Sequence, residues 1–176
     1  HSRLELAEIL VELRKAGVDN VLALGGDAPP DAKELGHAEL THAIELVELA
    51  RAIGGFSIGV AAHPELHPNS AGDRDLDRRH LVAKMVLADF AITQFFFRTS
   101  DYLTLIDDLS RRGMHKPVIA QIHGYCLAGG TDVALLSDMV IAADDARIGF
   151  PPARDLGALP NNMWLYNAGP QWAKRL

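Results

Sequence analysis

Two groups of residues in this 176-residue chain have the types and spacing that could do chemistry. The first is a set of polar residues at the ends of apolar runs: Asp27 after Val21 to Leu24, then His63, Glu65 and His67 after Phe56 to Ala62, and Gln94 within Phe90 to Phe97. Parallel α/β enzymes carry proton transfer and substrate contacts at such positions. The second group is Gly129-Gly130 with Asp132 two residues on. A backbone N–H that opens a helix, approachable because glycine has no side chain, can polarise a carbonyl and hold the oxyanion that forms.

Each group also has a plain structural reading. An aspartate after a strand commonly closes a turn, and Asp132 suits the positive end of a helix dipole. His63 and His67, four residues apart around Glu65, have metal-like spacing. Pro64 and Pro68 argue against the regular helix that would bring the two rings together, so no metal site is expected. Phe95, Phe96 and Phe97 read as strand packing, Lys84 as a solvated helix residue, and Cys126 as a buried thiol used for packing.

The elements that must hold these residues alternate. Ser2 with Glu5 three residues on is a capping-box pattern, followed by Leu6, Ile9, Leu10 and Leu13 at helical spacing and a stop at Gly17. Strands are expected at Asn20 to Leu24, Phe56 to Ala62, Phe90 to Phe97 and Pro117 to Ile122. Helices are expected at Ala38 to Ile53, Leu76 to Leu87 and Tyr102 to Arg112. The strand starts repeat every ~28 to 35 residues, the length of a strand plus a returning helix. After Ile122 the plan changes to a Gly-rich turn, a short helix at Thr131 to Ser137 and two short apolar runs, Met139 to Ala142 and Ala146 to Phe150.

Composition narrows the partners. The chain is 48% hydrophobic and carries 17 Lys+Arg against 23 Asp+Glu, a net charge of −6, with no basic stripe. Nucleic acid is therefore not an expected partner. No apolar run approaches the roughly 20 residues of a membrane span. Cys126 is the single cysteine, so no intrachain disulfide can form, and a reducing, cytoplasmic setting is expected. The opening residues, His1 to Glu5, lack the order of a signal peptide and read as an internal start.

The motifs Val21 to Pro30 (VLALGGDAPP), Ser57 to Pro68 (SIGVAAHPELHP) and Phe90 to Phe97 (FAITQFFF) together resemble methylenetetrahydrofolate reductase over residues ~2–117. The resemblance implies a flavin-binding TIM barrel and an oxidoreductase of one-carbon metabolism. It implies that Asp27 lies beside flavin and folate as a catalytic carboxylate and that Gln94 contacts substrate. It further implies flavin contacts at Gly26, Asp27, Ala38, His63, His67, Asp77 and Lys84. The family commonly has arginine where this chain has Gly25 and an aromatic residue where it has His63, which weakens the case for FAD. The family's first three strands, with a glutamate general acid, and its final strand have no counterpart, so impaired turnover is expected.

Residues Pro117 to Asp132 (PVIAQIHGYCLAGGTD), with Asp138 to Ala143 and Ala146 to Pro151, resemble the enoyl-CoA hydratase/isomerase, or crotonase, superfamily over residues ~116–176. This implies an oxyanion donor at Gly129, a catalytic acid position at Asp132, and a CoA thioester as ligand. The second acid position falls near Pro152, which cannot exchange a proton.

The expected fold is therefore α/β: repeated parallel βα units (partial TIM-barrel-like) over residues 1–116, then a crotonase-like ββα segment over 117–176, in an apparent chimera. The seam falls at Lys116 to Ile119, where both families have a similar strand. Three functions are open: a flavin- or folate-binding reductase segment, an acyl-CoA-binding crotonase relative, and a catalytically silent scaffold. Unmatched apolar faces and strand edges predict a homo-oligomer.

Overall fold

The computed structural model describes residues 1–26, 39–96, 98–127 and 129–149. In chain order the elements are α1 (Arg3–Lys15), β1 (Asn20–Ala23), α2 (Ala43–Ile53), β2 (Ser57–Ala62), α3 (Arg74–Leu87) and β3 (Phe90–Thr93). They continue with α4 (Thr99–Arg111), β4 (Val118–Ile122), β5 (Tyr125–Leu127), α5 (Gly129–Leu136), β6 (Met139–Ala142) and β7 (Arg147–Gly149). A short 3₁₀ turn at Pro68–Ser70 precedes α3.

Five strands form one parallel sheet in the order β1-β2-β3-β4-β6, and β5 pairs with β7 in a separate parallel pair. Each of the first three connections contains one helix, and each helix packs on the next along the chain. This is the repeated βα plan. The sheet runs without a break through Lys116, because β4 bonds β3 through Ala91 and Val118 on one side and β6 through Ile119 and Met139 on the other.

One face of the sheet carries Ala23, Ile58, Val60, Ala62, Ala91, Val118 and Ala120, all buried with Val47, Ala50, Leu81, Met85, Leu105 and Leu109 of the helices. Alternate residues point the other way. On that second face Leu22, Met139 and Ile141 are exposed. Gly59 sits there under Phe90, so close that a Cβ would lie 2.4 Å from the ring.

Local signals explain most of the element ends. Ser2 accepts from the Glu5 N–H while Glu5 accepts from the Ser2 N–H, the expected capping box. Gly17 follows α1 at φ +83, a conformation that glycine adopts without strain. Helix α2 starts at Ala43, later than the apolar spacing suggested, because the Glu45 carboxylate accepts from the N–H groups of Thr41 and His42 and ends the helix there. Helix α3 begins at Arg74, with Asp73 accepting from Leu76 N–H. Strand β3 stops at Thr93, four residues short of the expected Phe97. Gln94 still donates its N–H to Ala62 O, but the chain then turns so that Phe96 stacks on Tyr102 at 5.6 Å.

Candidate functional site

The strand-end residues of β2 are assembled by helix α3. His63 follows β2 directly, and the chain then turns through Pro64, Glu65 and Leu66, the last at φ +73, before His67 caps the 3₁₀ turn. A leucine in that left-handed region is strained and needs outside support. The turn brings the two imidazoles edge to face with centroids 4.5 Å apart. The prolines do prevent a helix here, as expected, but they do not keep the rings apart. A tight loop achieves the contact that a helix would have.

Support for the loop comes from Asp77 and Arg78. Asp77 Oδ1 accepts from the His67 backbone N–H at 2.8 Å, and its Oδ2 pairs with Arg78 at 2.6 Å. Arg78 is fully buried, and donates to His63 O at 3.0 Å, Pro64 O at 3.2 Å and Asp108 Oδ2 of α4 at 3.3 Å. Neither Arg78 nor Asp108 was marked by motif reasoning. The signal available was spacing: Arg78, Leu81 and Met85 share the buried face of α3, so Arg78 was placed to be inside.

Lys84 lies two turns further along α3 and donates to Ala61 O at 3.3 Å. Burial pushes its ammonium below the ordinary value, with Asp77 opposing. It is therefore not the solvated residue that its type suggests. Burial also lowers the His63 imidazole, with electrostatic contributions from His67, Lys84 and Arg78 adding to the effect and Asp77 opposing it. His67 Nδ1 accepts from Asn69 N–H at 3.1 Å, so its neutral form carries the proton on Nε2. His63, His67, Asp77 and Lys84 thus form one cluster. Gln94 is exposed beside it, one strand over, at the end of β3.

Gly26 ends the described loop after β1, and a Cβ at Gly25 or Gly26 would meet nothing within 4 Å. Asp27 and Ala38 lie outside the described residues, as do Pro152 and the Phe97 ring. Among the described residues, no group of three or more His, Cys, Asp or Glu side chains is placed to hold a metal ion.

Gly129 is the first residue of α5. Its carbonyl accepts from Thr99 Oγ1 of α4 at 3.4 Å. Asp132 Oδ1 is buried with no hydrogen-bond partner among the described residues. Cys126 packs beneath this turn, its thiol raised by burial, 3.5 Å from where a Cβ on Gly130 would stand. His123, just past β4, meets the exposed Phe95 edge to face at 4.3 Å. No described helix is long and apolar enough to cross a membrane.

Comparison with known proteins follows the same division. The family model for methylenetetrahydrofolate reductase matches residues 1–125, and that for enoyl-CoA hydratase/isomerase matches residues 98–176. The chain is 36% identical over 122 residues to 5,10-methylenetetrahydrofolate reductase of Pectobacterium carotovorum subsp. carotovorum, a match covering 69% of this chain and 39% of the relative. It is 36% identical over 119 residues to the Escherichia coli (strain K12) protein of the same name, covering 67% of this chain and 38% of that one. The chain thus spans about two fifths of these curated relatives' length. Among solved structures, an enoyl-CoA hydratase from Mycobacterium smegmatis aligns with 32% identity over 75% of this chain and 47% of its own, at a TM-score of 0.33. The strand-end motifs and the family match over residues 1–125 agree, and the chain belongs to the methylenetetrahydrofolate reductase family.

Proposed function

We propose that His63, His67, Asp77 and Lys84, with Gln94 and Gly26 beside them, form part of a flavin- and folate-binding site, and that the chain is a segment of a methylenetetrahydrofolate-reductase-like oxidoreductase. The observation that carries this reading is the convergence of His63, His67, Asp77 and Lys84, drawn from a loop and a helix, into one cluster at the strand ends. These are positions to which the family resemblance assigns flavin contacts.

The residues fit such a group. Lys84 is a partly buried cation whose hydrogen bond among the described residues is long, leaving ammonium protons for a phosphate. The two imidazoles offer ring faces and edges to a flat heterocycle, and the missing side chains at Gly25 and Gly26 leave the loop after β1 open to close approach. When bound, a flavin supplies hydride-transfer chemistry. The chain's own part is to bind and orient: Lys84 holds negative charge, His63 stays neutral near pH 7, and Gln94 presents a carboxamide to substrate. Asp77 has both oxygens committed to His67 and Arg78, so it positions rather than exchanging protons. Turnover by this chain alone is proposed to be impaired, and Gly25 in place of an arginine weakens FAD affinity.

Thermal denaturation with and without FAD tests the reading, because a ligand that binds only the folded state must raise the midpoint. A rise with FAD that disappears in Lys84→Ala supports it, and no rise overturns it. Asp132 Oδ1, buried and unpartnered among the described residues three positions after Gly129, favours a second reading, an acyl-CoA-binding crotonase relative, for which a CoA thioester alone would raise the midpoint. The exposed apolar residues of the second sheet face favour a scaffold that self-associates into a homo-oligomer, read by sedimentation without ligand.

A further inference from the structure

We infer that Arg78 is a positioning residue that sets the geometry of the His63 to His67 loop from outside it, acting as a clamp between helix α4 and the candidate site. The assignment of that loop to flavin binding rests on the proposed function. The clamp itself rests on contacts. One guanidinium donates to both carbonyls at the start of the loop, His63 O and Pro64 O, and to Asp77 Oδ2, whose other oxygen holds the His67 N–H at the loop's end. Its Nε reaches Asp108 of α4. Both ends of a five-residue turn are therefore tied to one cation, and Leu66 at φ +73 lies between the tied ends.

A stability role explains this arrangement poorly. Arg78 is fully buried, and Leu81 and Met85 on the same helix face show that an apolar side chain would pack there. Taking an arginine and its carboxylate partners out of water is costly, and well-packed apolar replacements of such ion pairs are often neutral or stabilising. What an apolar residue cannot do is bond four acceptors in one plane. The fixed fork of a guanidinium can, whereas a lysine has the charge without the fork.

Arg78→Lys separates these roles, because it keeps the positive charge beside His63 and loses the fork. Three readouts apply to the full chain: the nuclear Overhauser contact between the His63 and His67 rings, amide exchange of His67 N–H, and FAD affinity by fluorescence titration. If Arg78 is the clamp, Arg78→Lys stays folded, loses the ring contact, speeds His67 exchange at least tenfold and weakens FAD at least tenfold. Ring contact and exchange equal to the parent's would overturn the inference. Should Arg78→Lys fail to fold, Asp108→Asn releases the α4 anchor more gently. Faster His67 exchange in that variant supports the clamp, and unchanged exchange sinks it. Ring contact and exchange are read without flavin, so a parent protein that binds no FAD would remove the proposed function and still leave the clamp decided.

Discussion

The carboxylate of Asp138 accepts a hydrogen bond from the Val118 backbone N–H at 3.0 Å, tying the residue before β6 to the first residue of β4. Asp89, one residue before β3, does the same for Ile58 of β2 at 2.7 Å and is itself paired with Arg51 at 2.8 Å. The same device therefore closes the amino ends of neighbouring parallel strands on both sides of Lys116. Together with the unbroken ladder from β3 through β4 to β6, it explains how two differently matched stretches of chain share one sheet.

Asp138→Ala leaves the part-buried Val118 N–H without its acceptor. An unsatisfied amide of this kind costs about 1–3 kcal/mol, and urea denaturation should show a lower midpoint with an unchanged slope. An unchanged midpoint would mean that water replaces the carboxylate and that the device carries no weight.

Gly59→Ala places a Cβ 2.4 Å from Cε2 of Phe90, so the ring must move. Overpacking of this size costs about 1–3 kcal/mol. The double variant Gly59→Ala, Phe90→Ala should cost less than the two single changes added together, a coupling that a double-mutant cycle measures. Strict additivity would show that the Phe90 ring is not what excludes a side chain at Gly59.

His63→Phe should flatten the acid limb of the stability curve. Burial first, and then the neighbouring cations, hold the folded imidazole below its ordinary value. Between that lowered value and about 6.5 the unfolded chain binds more protons, so stability rises with pH through this window and falls on acidification. Urea midpoints at pH 5 and pH 7 should differ less in the variant than in the parent. An equal difference would assign the acid sensitivity to other groups.

Lys84→Met exchanges binding for stability. The folded state holds Lys84 as a partly buried cation, disfavoured by desolvation, so an unbranched apolar side chain of similar length should add about 0.5–1 kcal/mol at neutral pH. The same change should weaken FAD by about tenfold, the loss of ~1.4 kcal/mol. Stability and affinity that fall together would instead identify Lys84 as a structural cap on Ala61 O.

Much of this protein was legible in its residues. Apolar runs at regular spacing announced the alternation of strands and helices, since short continuous apolar runs and apolar residues at helical spacing leave different periods. The Ser2–Glu5 box formed because its bonds span three residues. The three strand-end motifs carried family membership, because each is a short run of neighbouring residues that can be read without the fold.

The tertiary structure decided what depends on residues far apart in sequence. His63 and His67 meet although Pro64 and Pro68 bar a helix, because Arg78 and Asp77 of α3 hold the loop and Asp108, 30 residues beyond Arg78, anchors the clamp. Lys84 turned inward because Ala61 O lay within reach. Strands β5 and β7 left the main sheet for a pair of their own, a choice between competing parallel ladders that alternation along one strand does not encode. Local bonds follow from neighbours in the chain, whereas a buried charge finds its place only when the surrounding elements have packed.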